Sequence, residues 1–238
     1  MSAASDERAS RLEFAVAELT KINAGVQPIN DVLARTVELA KTVLRMPIEA
    51  SVTLVDSAEA TTPAFTDRLA LDLDETQYKL GYGPCLASAE AGQLVSIPDM
   101  ATEQRWLQFT AEARSKGVRS SLSVPLPVQR QVIGSLNMYS PTEQSFDDEA
   151  VELAAKFGDY AGVAIAHATL YLSTSQLAEQ MSHAMQSRAA IEQAKGILMA
   201  QRRCDADEAF NILVGLSQHS HQKLRDVARL LIEHALAS

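Results

Sequence analysis

Arg188, Lys195 and Arg202 recur every seven residues, and Arg203 follows the last of them. At 3.6 residues per turn this spacing puts the three on one face of a helix over Met185–Arg203. Such a face can offer its charges to phosphates; on charge alone a solvated helix surface or a coiled-coil flank is the favoured explanation. Beside it Ile191, Ala194, Leu198 and Met199 form an apolar stripe, so the helix can pack while its cations stay in water. Histidine and thiol chemistry has less to work with. His183, His219, His221 and His234 gather near the C-terminal end, yet His219 and His221 are two apart, and no Cys or carboxylate completes a metal site. Cys85 and Cys204 show no ligand spacing, which points to free thiols in a reducing compartment. With no P-loop, no nucleophile elbow and no glycine-rich phosphate cradle, the expectation is a protein that is not an enzyme and holds no metal.

The elements that would position these residues follow from periodicity. Asp205 or Asp207 is placed to cap a second helix carrying Ala209, Ile212, Leu213 and Leu216, and after the polar turn Gln218–Gln222 a third carries Leu224, Val227, Ala228, Leu231 and Ile232. Upstream, Leu12, Ala15, Val16, Leu19 and Ile22 predict an N-terminal helix ending at Asn23-Ala24-Gly25, and Asn30 or Asp31 is placed to cap another that closes at Met46-Pro47. Ser51–Val55 alternates as a strand, and Thr61–Thr66 is a weaker one broken by Pro63. Leu94–Ile97 is a further short strand. Arg119–Val128 and Val132–Tyr139 are two runs separated by Gln129-Arg130-Gln131, which is hairpin spacing. The fold class expected is α+β, an antiparallel sheet flanked by helices and followed by a helical C-terminal unit.

All eight prolines lie at or before Pro141, so the chain changes character there. With 47% hydrophobic residues among 238 it can bury one sizeable core and a smaller one. The formal net charge is −9, but from His183 onward seven Lys or Arg face six Asp or Glu, so the acidity belongs to the rest of the chain. A locally basic face on an acidic body suits selective contact with one nucleic-acid shape better than general adhesion. The polar start and the lack of a long apolar run imply no membrane and a cytoplasmic location.

Several blocks carry a family resemblance. R-x-x-I-E-Q-A-K-G-I-L-M at Arg188–Met199, D-E-A-F-x-x-L at Asp207–Leu213, Ser217-Gln218 and K-L-R-D-V-A at Lys223–Ala228 closely resemble an ANTAR domain, the RNA-binding module of bacterial transcription antiterminators. The sequence departs at Val214, where the family usually has Arg, and at His221, where it often has Asn. The resemblance implies binding of structured, hairpin leader RNA through Arg188, Lys195, Arg202 and Arg203. Gln193 and Ser217 would be polar partners, and Lys223 and Arg225 a secondary rim. Gly196 would allow close approach of a backbone or base, or else tight helix packing.

Upstream, G-x-G-P-C-L at Gly81–Leu86, I-P-D-M at Ile97–Met100, R-W-x-x-F at Arg105–Phe109, G-V-R-S-S-L-S-V-P-L at Gly117–Leu126 and I-G-S-L-N-M-Y-S at Ile133–Ser140 together resemble a GAF domain, a small-molecule sensory module. That implies a pocket between sheet and middle helices, with lining residues among Tyr78, Cys85, Trp106, Phe109, Ser121, Ser123 and Asn137, and an unidentified ligand rather than a known cofactor. Trp106 and Phe109 suit a core as well, and Cys85 is read as a buried small hydrophobe before a redox or chromophore site. The organisation expected is an N-terminal helix (1–27), a GAF-like domain (28–171), a helical linker (172–184) and an ANTAR domain (185–236).

From Asp147 a helical pattern continues with one suggested break at Ser173-Thr174-Ser175. Leu177, Met181, Ala184, Arg188, Ile191, Lys195 and Leu198 step by four and three, the coiled-coil period, which predicts a homodimer through the connecting helices. Small residues at Ala161, Ala164 and Ala168 suit either that pairing or packing on the sheet. The competing functions are a DNA-binding regulator, less favoured because the second and third helices lack a base-reading cluster of Arg, Asn and Gln, and a sensory scaffold without nucleic acid.

Overall fold

Alternation along Ala50-Ser51-Val52-Thr53 builds a strand that is paired on both sides, and its two faces go to different surroundings. The computed structural model describes residues 3–24, 28–56, 59–128 and 131–236. It divides into two compact units, Met1–Leu172 and Ser173–Ser238.

In the first unit, β1 (Glu49–Asp56), β2 (Glu59–Phe65), β3 (Val95–Ile97), β4 (Ser120–Val128) and β5 (Gln131–Ser140) form one sheet in the order β2-β1-β5-β4-β3. Every pairing is antiparallel, with Val52 opposite Leu136 and Leu136 opposite Val124. Pro63 lies in β2, an edge strand, where a missing N–H breaks no central ladder. The expected hairpin loop at Gln129-Arg130 lies outside the described residues, as does Gly25 at the end of the first helix.

Period 2 then separates two faces. Ala50, Val52, Leu122, Val124, Leu126, Leu136 and Met138 join one core with α1 (Ala3–Ala24), α2 (Ile29–Leu44) and the start of α6 (Asp148–Arg202). Val32, Leu33, Val37, Ala40, Val43 and Leu44 are the buried stripe of α2, as its spacing predicts. Asn30 and Asp31 do not cap it: the N-cap is Pro28 without a side-chain bond, and both residues sit in the first turn. Phe157, Ala161, Ala164 and Ile165 of α6 are buried in this core, so the small residues there serve packing on the sheet. A Cβ at Gly162 would stand 2.6 Å from the Pro127 carbonyl oxygen, so this close helix-on-strand contact requires glycine. The other face is covered by α3 (Arg68–Leu80), α4 (Pro84–Ala91) and α5 (Leu107–Ser115).

The second unit is helical. Residues 173 onward continue α6 without interruption, so Ser173-Thr174-Ser175 is helix rather than a break. α7 (Ala206–Ser220) starts at Asp205, whose carboxylate accepts from the Asp207 and Glu208 backbone N–H groups while Glu208 returns the bond, a reciprocal capping box. α7 ends at His221 in the left-handed region, and α8 (Leu224–Leu236) follows. Ala194, Leu198, Ala209, Leu213, Val227 and Ala228 form its core. Among the described residues no helix is long and apolar enough to cross a membrane.

Candidate nucleic-acid interface and buried polar site

The core of the helical unit decides which cations face water. Burying Ala194 and Leu198 leaves Arg188, Arg202 and Arg203 exposed, and none has an ion-pair partner among the described residues. Lys195 differs: its ammonium lies 3.1 Å from Glu192 Oε2 and its side chain is only 17% exposed. With Glu192 open to water, an i,i+3 pair of this kind is worth about 1 kcal/mol or less, so it biases the lysine without disabling it. Gln193 is exposed, and nothing lies within 4 Å of a Cβ built on Gly196, so that glycine opens a gap on the surface rather than a tight helix contact.

Ser217 is engaged elsewhere. Its hydroxyl donates to the Gln222 carbonyl at 2.6 Å and holds the α7–α8 turn. At that turn His221, Gln222, Lys223, Asp226, Arg229 and Leu230 line an open groove of about 530 Å³. Arg225 is drawn toward Asp226 at 3.6 Å, whereas Lys223 and Arg229 have no ion pair among the described residues. The rim expected at Lys223 and Arg225 left out Arg229, although Lys223, Asp226 and Arg229 follow one another at steps of three along one side of α8.

The second site lies between the sheet and α3. The buried stripe of α3 is Ala70, Leu73, Asp74 and Gln77, so helical spacing carries two polar residues inward. Asp74 is fully buried. Tyr139 donates its hydroxyl to Asp74 Oδ1 at 2.5 Å, Asn137 Nδ2 donates to the same oxygen at 3.3 Å, and Thr62 donates to Oδ2 at 2.9 Å. Tyr78 Oη lies 2.6 Å from Thr62 Oγ1 and 2.9 Å from Thr53 Oγ1, which also accepts from Asn137 at 2.9 Å. Burial raises the Asp74 carboxyl to about 6, against the opposing bonds from Tyr139, Ser51, Thr62 and Asn137.

Gln77 extends the network to α4. Its Nε2 donates to Tyr139 Oη at 3.1 Å, and its Oε1 accepts the Cys85 backbone N–H at 2.9 Å in place of an N-cap side chain. A Cβ on Gly83 would stand 2.3 Å from Gln77 Oε1, so the glycine makes room for this carboxamide. Cys85 itself is buried, and its thiol is pushed up by burial and then by the Asp74 charge, so it stays protonated and a poor nucleophile.

Of the seven residues expected to line a pocket, Tyr78, Cys85, Ser121, Ser123 and Asn137 gather on this side of the sheet. The Oγ atoms of Ser121 and Ser123 are buried without a hydrogen-bond partner. Phe109 lies in the adjoining apolar cluster with Leu73, Ile97, Met100 and Tyr139; Trp106 packs against that cluster, with the Arg105 guanidinium 4.3 Å from its ring centre. Asp74, Thr53, Thr62, Gln77 and Ser135 were not singled out by motif. The available signal was polar residues on positions that periodicity assigns inward. Among the described residues no group of three or more His, Cys, Asp or Glu is placed to hold a metal.

Comparison with known proteins agrees with both halves. The sequence model of the GAF domain matches residues 26–166, and that of the ANTAR domain matches residues 179–232. No curated protein matches the sequence. Among solved structures, a free methionine-R-sulfoxide reductase from Neisseria meningitidis, in complex with its substrate, is similar with a TM-score of 0.56 and 18% identity over 72% of this chain and 95% of its own. The GAF domain from Acinetobacter phosphoenolpyruvate-protein phosphotransferase gives 0.51 and 15% over 68% and 97%. A phycoerythrobilin-bound GAF domain from a cyanobacterial phytochrome gives 0.52 and 17% over 67% and 97%. At these identities the likeness is one of fold.

Proposed function

Because the chain belongs to the GAF-domain family and carries an ANTAR domain over residues 179–232, we propose that it is a transcription antitermination regulator in which a sensory unit controls binding of structured, hairpin leader RNA. The observation that carries this reading is the set of cations Arg188, Arg202 and Arg203, held exposed by a helical core and without carboxylate partners among the described residues. Phosphate contacts dominate nucleic-acid affinity, and cations already spent on internal ion pairs contribute less to it. Lys223 and Arg229 at the α7–α8 groove, with Arg225 beside Asp226, form the secondary rim, and Gln193, His221 and Gln222 are polar groups for unpaired bases. Lys195 contributes once it leaves Glu192, and Gly196 leaves space for a base or backbone.

The protein acts in this reading without catalysis, in the cytoplasm and as a homodimer. Tyr160, Val163 and Leu170 of α6 are large, exposed and spaced by three and seven residues, which suits a seam between two copies. Ala161 and Ala164 are already buried in the first unit's own core and take no part in it.

The test is binding of the full chain to an RNA with two adjacent hairpins and to duplex DNA of equal length, across salt. RNA-selective binding is expected, weakened by Arg188→Ala and Arg202→Ala, each making the salt slope shallower by about one, and less by Lys195→Ala. Equal, weak binding to both nucleic acids, unmoved by these substitutions, overturns the reading in favour of a sensory scaffold.

A further inference from the structure

Asp74 is the only charged residue among the buried polar side chains described, and the side chains that act on its carboxyl, Tyr139, Ser51, Thr62 and Asn137, carry no positive charge. Its surroundings are neutral on every side: Ser51 and Thr53 from β1, Thr62 from β2, Asn137 and Tyr139 from β5, Gln77 and Tyr78 from its own helix, and Cys85 from α4. Tyr78, Tyr139 and Cys85 are all held protonated by burial and by the Asp74 charge itself. Beyond Tyr139 lies a surface cleft of about 410 Å³ that Lys41, Glu49 and Lys116 also line. Those lysines are taken by other carboxylates, Lys41 by Glu49 at 2.9 Å and Lys116 by Asp72 at 3.3 Å. One group in the nest therefore changes charge in the ordinary range of acidity.

We propose that the first unit senses acidity, and that the effector of its buried polar site is a proton bound by Asp74. The inference rests on the sensory reading of that unit and names what it senses. When Asp74 is ionised, Thr62 spends its only proton on Oδ2, so Tyr78 donates to Thr62 and Thr53 donates to Tyr78. A proton arriving on Oδ2 reverses the chain: Asp74 donates to Thr62, Thr62 to Tyr78, and Tyr78 to Thr53. No proton is lost, and the contacts between β2, α3 and β1 change direction together.

Trp106, the only tryptophan, packs against the cluster that contains Leu73 and Tyr139, so its fluorescence reports on α3. In the full chain between pH 4.5 and 8 we expect one transition with a midpoint near 6. Asp74→Asn, which keeps the shape and carries no titrating proton, should abolish it and leave the acid-form emission throughout. Tyr139→Phe, which removes a donor that favours the ionised form, should move the midpoint upward. An unchanged transition in Asp74→Asn, or none in the natural sequence, overturns the proposal. Should Asp74→Asn fail to fold by circular dichroism, an unmoved midpoint in Tyr139→Phe overturns it instead. RNA binding at pH 5.5 and 7.5 is measured in parallel: its absence at both sinks the antitermination reading and leaves the proton site standing on the fluorescence.

Discussion

On one face of the sheet, Val52, Leu122, Val124, Leu126, Leu136 and Met138 meet helices through hydrocarbon. On the other, Ser51, Thr53, Ser135, Asn137 and Tyr139 are as deeply buried and meet helices through hydrogen bonds, while the buried hydroxyls of Ser121 and Ser123 have no partner. The same strands supply both, one residue apart. Burial of the first set stabilises the fold by about 25 cal/mol for each Å² removed from water. Burial of the second contributes little net, because each protein hydrogen bond replaces one to water, and each orphan hydroxyl is a loss. A chain selected for stability alone would carry valine at these positions.

That contrast can be broken in graded steps. Phe157→Ala, on the apolar side, should lower unfolding free energy by about 3–5 kcal/mol in denaturant melts, since it leaves a cavity among α6 and the sheet. The polar side should answer to pH instead. Asp74 holds its proton more tightly folded than its ordinary value of 3.8 allows, so folding takes up a proton between there and about 6. Stability is then greatest below that window, falls as pH rises through it by on the order of 3 kcal/mol, and is level above. Asp74→Asn should flatten this part of the profile relative to the natural sequence.

Smaller effects sharpen the same comparison. Asn137→Ala strips donors from Asp74 and Thr53 and an acceptor from Ser135, and should cost about 1–3 kcal/mol in the same melts. Ser123→Ala should run the other way, raising stability by up to about 1 kcal/mol, because its hydroxyl is buried without a partner. A loss there would mean that Ser123 Oγ has a partner in solution, such as a water.

The strands and helices were largely legible because period 2 and period 3.6 report burial directly. Ile191, Ala194 and Leu198 announced the face of α6 that packs, and the choice between Asp205 and Asp207 as cap placed the start of α7 to within two residues. The polar face was legible only in part. Ser51, Thr53 and Ser135 alternate with apolar neighbours as solvent-facing residues do, and nothing local says that α3 and α4 cover them. Asp74 sits in an acidic run, Asp72-Leu73-Asp74-Glu75, in which one carboxylate points inward and its neighbours outward; only the rotation of the whole helix decides which. The partner of Lys195 was readable from its i,i+3 spacing to Glu192, whereas the hydroxyl of Ser217 turning back on Gln222 depends on a left-handed residue at His221.

The order of strands carries a consequence for how the chain is made. β1 sits second in the sheet and pairs with β5, so Val52 must wait for Leu136 before its second ladder exists. Until the ribosome has released β5, the β1–β2 hairpin is a ribbon with an unsatisfied edge, and closing the long intervening loop sets the pace of folding. The last three helical segments need only near neighbours in sequence and can assemble as they emerge. In a growing polypeptide the part made first is thus the part that finishes slowly, and the window of exposure to chaperones and proteases belongs to the sheet.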